Sequence, residues 1–177
     1  MKRRRARGSA QRKRSGVGQR RGRTTTRKSR PGRDRTRSSG SHTPAVIPML
    51  SYEDGSAALD WLARAFGFRE VTRMMAPDGR LSHGEMTAGD GLIMLATPSP
   101  DYQSPKRHRE TCAAARQWST VPYIIDGVLV SVSDLDRHFA RAKSAGATIL
   151  SEIEEGPPGR RYRAEDLEGH RWFFFEK

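Results

Sequence analysis

From Thr43 onward the apolar positions alternate between strand-like and helix-like spacing, and the same succession occurs twice. Val46 to Tyr52 is a β-prone run. Asp54 or Ser56 then offers a side-chain oxygen to cap a helix whose stripe is Ala58, Trp61, Leu62, Ala65 and Phe66, and Gly67 ends it. Strands follow at Phe68 to Met75, Leu81 to Met86 and Leu92 to Ala96, parted by turns at Pro77-Asp78-Gly79 and Gly89-Asp90-Gly91.

The second round starts at Gly127. Val128 to Val132 reads as a strand, Asp134 as a cap, and Leu135, Phe139, Ala142 and Ala145 as a helical stripe stopped by Gly146. Strands are predicted at Thr148 to Ile153, Arg161 to Ala164 and Arg171 to Phe175. Asp54 and Asp134, Gly67 and Gly146, and Gly91 and Gly169 stand 80, 79 and 78 residues apart, the mark of a duplicated βαβββ unit. A lone unit covers one face of its sheet with its helix and leaves the other bare. Two together curl into a cup with a partly apolar hollow, the usual shape of a small-molecule site. The expected fold is therefore α+β: two tandem βαβββ modules, about 45–97 and 127–177, forming a cup-shaped mixed sheet. The connector, 98–126, is long enough to cover a pocket or form an interface, with a short helix at Glu110 to Gln117.

Charge divides the chain in a different place. The protein has 177 residues and a net charge of +13, from 33 Lys/Arg and 20 Asp/Glu. Residues 1–42 hold 17 of the cations and one acid, Asp34, for +16, so residues 43–177 carry −3. The first 42 residues have too little apolar surface to offset the entropy of ordering and are expected to be a disordered basic tail. Its candidate role is a non-specific contact with nucleic acid through counterion release. It has no aromatic residue with which to stack on bases. The body, 43–177, has no basic field of its own. Cys112 is the lone cysteine, which excludes a disulfide framework and a cysteine-based zinc cluster. No apolar run is long enough for a transmembrane helix, and no secretory signal is expected, so a cytoplasmic protein without membrane contact is the expectation.

Three stretches carry a resemblance: Tyr52-Glu53-Asp54-Gly55 through Trp61 to Phe68, Val132-Ser133-Asp134-Leu135-Asp136 through Ala140 to Ala147, and Tyr162 through Asp166-Leu167-Glu168-Gly169-His170-Arg171-Trp172. With them, the body resembles the vicinal oxygen chelate superfamily of glyoxalases, bleomycin resistance proteins and extradiol dioxygenases, in its uncharacterised glyoxalase-like branch. The segment Arg107 to Cys112, with Trp118 after it, resembles that branch too. The resemblance implies metal ligands (His or Gln, Glu, His, Glu) on the first and last strands of both units. Here the first strand has no His, Gln or Glu, the fourth offers Met94 or Leu95, the fifth has no His, and the last has Phe173. Divalent metals take His, Cys or carboxylate donors. No metal, no other cofactor and no glyoxalase I activity are therefore expected.

His83 and Glu85, two apart on one strand and so on one face, are the candidate acid–base pair. Met94, Trp118, Tyr162, Arg163, Phe173 and Phe175 are the candidate ligand-binding residues. The family register places Phe173 and Phe175 toward the cup and Trp172 and Phe174 in the core, and it gives His170 to a structural turn. Glu154-Glu155 and Glu165-Asp166 read as solvated, and Cys112 as inert. The expected function is binding of a small organic molecule in the cup without metal, in a homodimer. The alternatives are a metal-independent lyase or isomerase using His83 and Glu85, and a nucleic-acid-associated protein using its tail.

Overall fold

A computed structural model describes residues 46–121, 126–157 and 159–177, so the expectations for residues 1–42 lie outside the described residues. The first module is β1 (Met49–Ser51), α1 (Gly55–Phe66), β2 (Arg69–Met75), β3 (Leu81–Ala88) and β4 (Gly91–Ala96). Two short helices follow, α2 (Pro105–Thr111) and α3 (Ala113–Ser119). The second module is β5 (Gly127–Val132), α4 (Leu135–Ser144), β6 (Thr148–Glu154), β7 (Arg161–Glu165) and β8 (Arg171–Glu176). Each module forms a four-stranded mixed sheet, ordered β1-β4-β3-β2 and β5-β8-β7-β6, with the first pair parallel and the others antiparallel. This is the expected α+β fold of two βαβββ modules.

The helix boundaries follow from local chemistry. The Asp54 carboxylate accepts the Ala57 N–H at 2.9 Å and the Asp134 carboxylate accepts the Arg137 N–H at 2.9 Å, so equivalent aspartates cap equivalent helices. Ser56, the other candidate cap, lies inside α1. Gly67 closes α1 in the left-handed region at φ 68°, and Gly146 follows α4 at φ 88°. The true counterpart of Gly169 is Gly89 rather than Gly91. Gly89 and Gly169 both take positive φ, 60° and 87°, two residues before the last strand of their modules.

Two expected elements differ. β1 starts only at Met49, because Pro48 has no N–H for the ladder. The single helix expected at Glu110 to Gln117 is instead the pair α2 and α3, broken where Cys112 turns extended at φ −119°, ψ 114°. The Ser104-Pro105 start of α2, a capping hydroxyl before a proline at N1, was readable in the sequence.

One face of each sheet is packed under a helix. Met86, Ile93 and Leu95 of the first sheet and Val130, Tyr162, Ala164, Trp172 and Phe174 of the second are buried there with the stripe of α1 and with Leu135 and Ala142 of α4. The core runs across the module boundary: the Phe66 ring lies 5.6 Å from Trp172 and 4.8 Å from Phe174. Burial of such side chains contributes roughly 1.5–3 kcal/mol each. Trp172 and Phe174 thus take the core positions that the family register implied, and Phe173 and Phe175 point to the opposite face.

Candidate functional site

Strand pairing fixes what stands on the faces not covered by helices. On the first sheet Met49 is paired with Met94 and Met94 with Glu85, so the three form a row across β1, β4 and β3. His83 is paired with Met74 on β2. The period of two brings His83 and Glu85 to one face, and His83 Nε2 lies 2.9 Å from the Glu85 carboxylate. Met49, His83 and Met94 line a cavity of about 130 Å³. Met94 lies on this open face, whereas Leu95 is buried under the helix.

On the second sheet Leu129 is paired with Phe173 and Phe173 with Arg163. Ser131, Phe175 and Arg161 make the next row. Arg163 is largely buried and donates to both oxygens of Glu154 at 2.7 and 2.9 Å, within a ladder in which Arg161 also faces Glu154. One end of this face is closed by the connector. Arg109 binds Glu165 through two hydrogen bonds, 2.6 and 3.0 Å, and Arg171 donates to Glu165 and to the Ser119 and Val121 carbonyls. Trp118, half exposed on α3, lines a separate cavity of about 230 Å³ with Tyr102, Pro105 and His108.

Tyr162 requires a correction. It is fully buried on the helix-covered face, away from the open face that carries Arg163. Its hydroxyl lies 2.6 Å from His138 Nδ1, while His138 Nε2 lies 3.0 Å from the Phe66 carbonyl. A carbonyl only accepts, so Nε2 donates, and neutral Nδ1 accepts the Tyr162 hydroxyl proton. Burial lowers the His138 pKa to about 4, with the Arg141 charge adding to the effect, and burial raises that of Tyr162. His138 was not singled out in the sequence. Its signal was its place on the apolar stripe, three residues after Leu135 and four before Ala142.

Glu165 and Asp166 also correct an expectation, since both are buried rather than solvated. Asp166 accepts hydrogen bonds from the Tyr52 hydroxyl at 2.7 Å, Trp172 Nε1 at 3.0 Å, and the Glu168 and His170 N–H groups at 3.0 Å each. Glu168 accepts the N–H groups of Glu53 and Asp54 at the start of α1. Desolvation holds its carboxyl above the usual range despite those bonds. His170 Nε2 donates to the Ser51 carbonyl at 2.9 Å. The Asp166–His170 turn therefore ties the second module to the β1–α1 junction of the first.

The superfamily profile described as Glyoxalase/Bleomycin resistance protein/Dioxygenase matches residues 46–174. The chain belongs to this superfamily. An uncharacterised protein of Mycobacterium bovis is 32% identical over 130 residues, 73% of this chain and 80% of the relative. The crystal structure of TioX from Micromonospora sp. ML1 is 34% identical, covers 74% of this chain and 94% of its own, and superposes with a TM-score of 0.55. A glyoxalase/bleomycin resistance protein from Streptomyces sp. CB03234 shares the fold at 16% identity, with 74% of this chain and all of its own covered and a TM-score of 0.50.

For a member of the glyoxalase superfamily, the open faces have an unusual donor set. The strands implied to carry metal ligands present the pairs Met49–Met94 and Leu129–Phe173. Among the described residues no group of three or more His, Cys, Asp or Glu is placed to hold a metal ion. These residues do not fit the divalent metal of the family. Among the described residues, too, no helix is long and apolar enough to cross a membrane.

Proposed function

We propose that this glyoxalase-superfamily protein binds a small, partly apolar organic molecule on its open sheet faces without the family's divalent metal. The observation that carries the reading is the pair of apolar rows, Met49–Met94 and Leu129–Phe173, where the resemblance implies metal ligands. An apolar lining with few polar groups favours an organic ligand. Met94, Phe173 and Phe175 form the apolar floor and Arg163 with Glu154 is the polar edge, while Trp118 offers an aromatic contact in its separate cavity on the connector. Met49 and Leu129, 78% and 61% exposed in one chain, support a homodimer in which the first sheet of one copy faces the second sheet of the other. Cytoplasmic action fits the absence of a disulfide framework. Residues 1–42 add a non-specific, salt-dependent contact with nucleic acid.

A thermal-shift panel of small organic molecules, bleomycin among them, tests the reading. Binders raise the melting temperature in the presence of EDTA, and light scattering gives a dimer. A divalent ion retained in native mass spectrometry, with EDTA lowering the melting temperature, overturns it. The 2.9 Å contact of His83 with Glu85 favours a second reading, a metal-independent lyase or isomerase in which Glu85 orients His83 for proton transfer. Turnover of a bound compound that is lost in His83→Ala decides for it.

A further inference from the structure

A cleft of about 490 Å³ lies between the end of α1, the β3–β4 turn and the β5–α4 junction. Its walls include Phe66, Phe68, Arg137, Arg141, Asp90 and Lys177. Arg137 and Arg141 are one turn apart on α4 and so lie on the same side of the helix. Arg141 is held in place: its Nε and Nη2 donate to the Ala65 and Phe66 carbonyls at 3.3 and 2.9 Å. Its guanidinium lies so close over Gly67 that a Cβ there would sit 2.5 Å from it.

Neither arginine has a carboxylate within ion-pair distance among the described residues. The two acids lining the cleft are engaged by groups other than these arginines. Asp90 holds Lys177 Nζ, and the Asp134 carboxylate accepts a backbone N–H as the cap of α4. Arg64, which also has no acidic partner among the described residues, lines a further hollow with Arg141. Like charges one helical turn apart repel each other. Residues 43–177 carry −3 in total, yet this seam collects uncompensated guanidinium groups.

We propose that the cleft is a second binding site, for a phosphate-bearing small molecule whose phosphate lies between Arg137 and Arg141. Two guanidinium forks match the several oxygens of one phosphate better than they match a single carboxylate. The volume admits an organic group beyond the phosphate, against the apolar wall of Phe66 and Phe68. The cleft meets the second open face only at Ser131, and neither arginine belongs to the floor, edge or aromatic contact proposed above, so either reading stands without the other.

Calorimetric titration of the full chain with inorganic pyrophosphate near physiological salt tests it. The expected result is one saturable site per chain, weakened about tenfold in Arg137→Ala, the loss typical of a charge-assisted contact. Arg137 is exposed and its cap bond is to the backbone, so this variant folds. Heparin affinity, measured alongside, reports the basic segment 1–42 and stays the same in both proteins. Titration of Arg137→Ala indistinguishable from wild type, or no saturable binding by wild type, overturns the proposal.

Discussion

The two open sheet faces have the same strand order but are built differently. The first is lined by Met49, Met74 and Met94, with one ionisable contact, His83 to Glu85, that is partly exposed. The second carries Leu129, Phe173 and Phe175 and is edged by an ion ladder. At one end Arg109, Glu165 and Arg171 are locked beneath the connector. The helix-covered faces, by contrast, are both continuous apolar core. Packing under a helix requires an apolar face on both sheets. The open faces have no such constraint, and the ligand binding proposed for this protein is placed on them.

The largest effect is expected from breaking the locked end. Glu165 is the acid partner of both Arg109 and Arg171, and the Arg171 side chain is only 1% exposed. Glu165→Ala leaves a buried guanidinium without a counter-charge, a change that costs about 3–5 kcal/mol. Urea unfolding of the variant measures it. A loss below 1 kcal/mol would mean that the second open face is no more rigid than the first.

The next effect tests the shared core beneath both faces. His138 joins Phe66 of the first module to Tyr162 of the second, and burial holds its pKa near 4 against about 6.5 when unfolded. Above pH 6.5 the ring is neutral in both states and gives no pH dependence. Between pH 6.5 and 4 the unfolded chain takes up a proton that the folded protein resists. Stability therefore falls as pH falls through this window, by roughly 3 kcal/mol at most. Glu168, with its carboxyl raised by desolvation, works in the opposite sense, losing stability as pH rises. Comparing wild type with His138→Gln separates the two, and the variant's melting temperature should drop less on acidification. Equal slopes would remove His138 from the account.

The repeat and the caps at Asp54 and Asp134 were legible because spacing and capping are local signals, whereas the core positions of Trp172 and Phe174 came from the family resemblance, since both faces of that strand are apolar. Long-range pairing was not legible. Glu165 and Asp166 looked solvated because adjacent acids usually are, and their partners Arg109, Tyr52 and Trp172 are set by tertiary packing. Tyr162 looked available because its alternation with Arg163 was clear while the direction of each was not. A one-residue choice of face turned a core residue into a ligand candidate. Met94 over Leu95 was the same ambiguity, settled by pairing with Met49 and Glu85.

The smallest effect is expected on the first open face. His83 and Glu85 are partly solvent-exposed, and exposed ion pairs contribute about 0–1 kcal/mol. His83→Ala should therefore shift the urea midpoint very little, several-fold less than Glu165→Ala on the other sheet. The same variant is then a clean probe of ligand binding, since any change in a compound's thermal shift reflects contact rather than unfolding. Stability lost to the extent seen with Glu165→Ala would show that the first face is as tightly locked as the second, and the contrast between the two faces would fail.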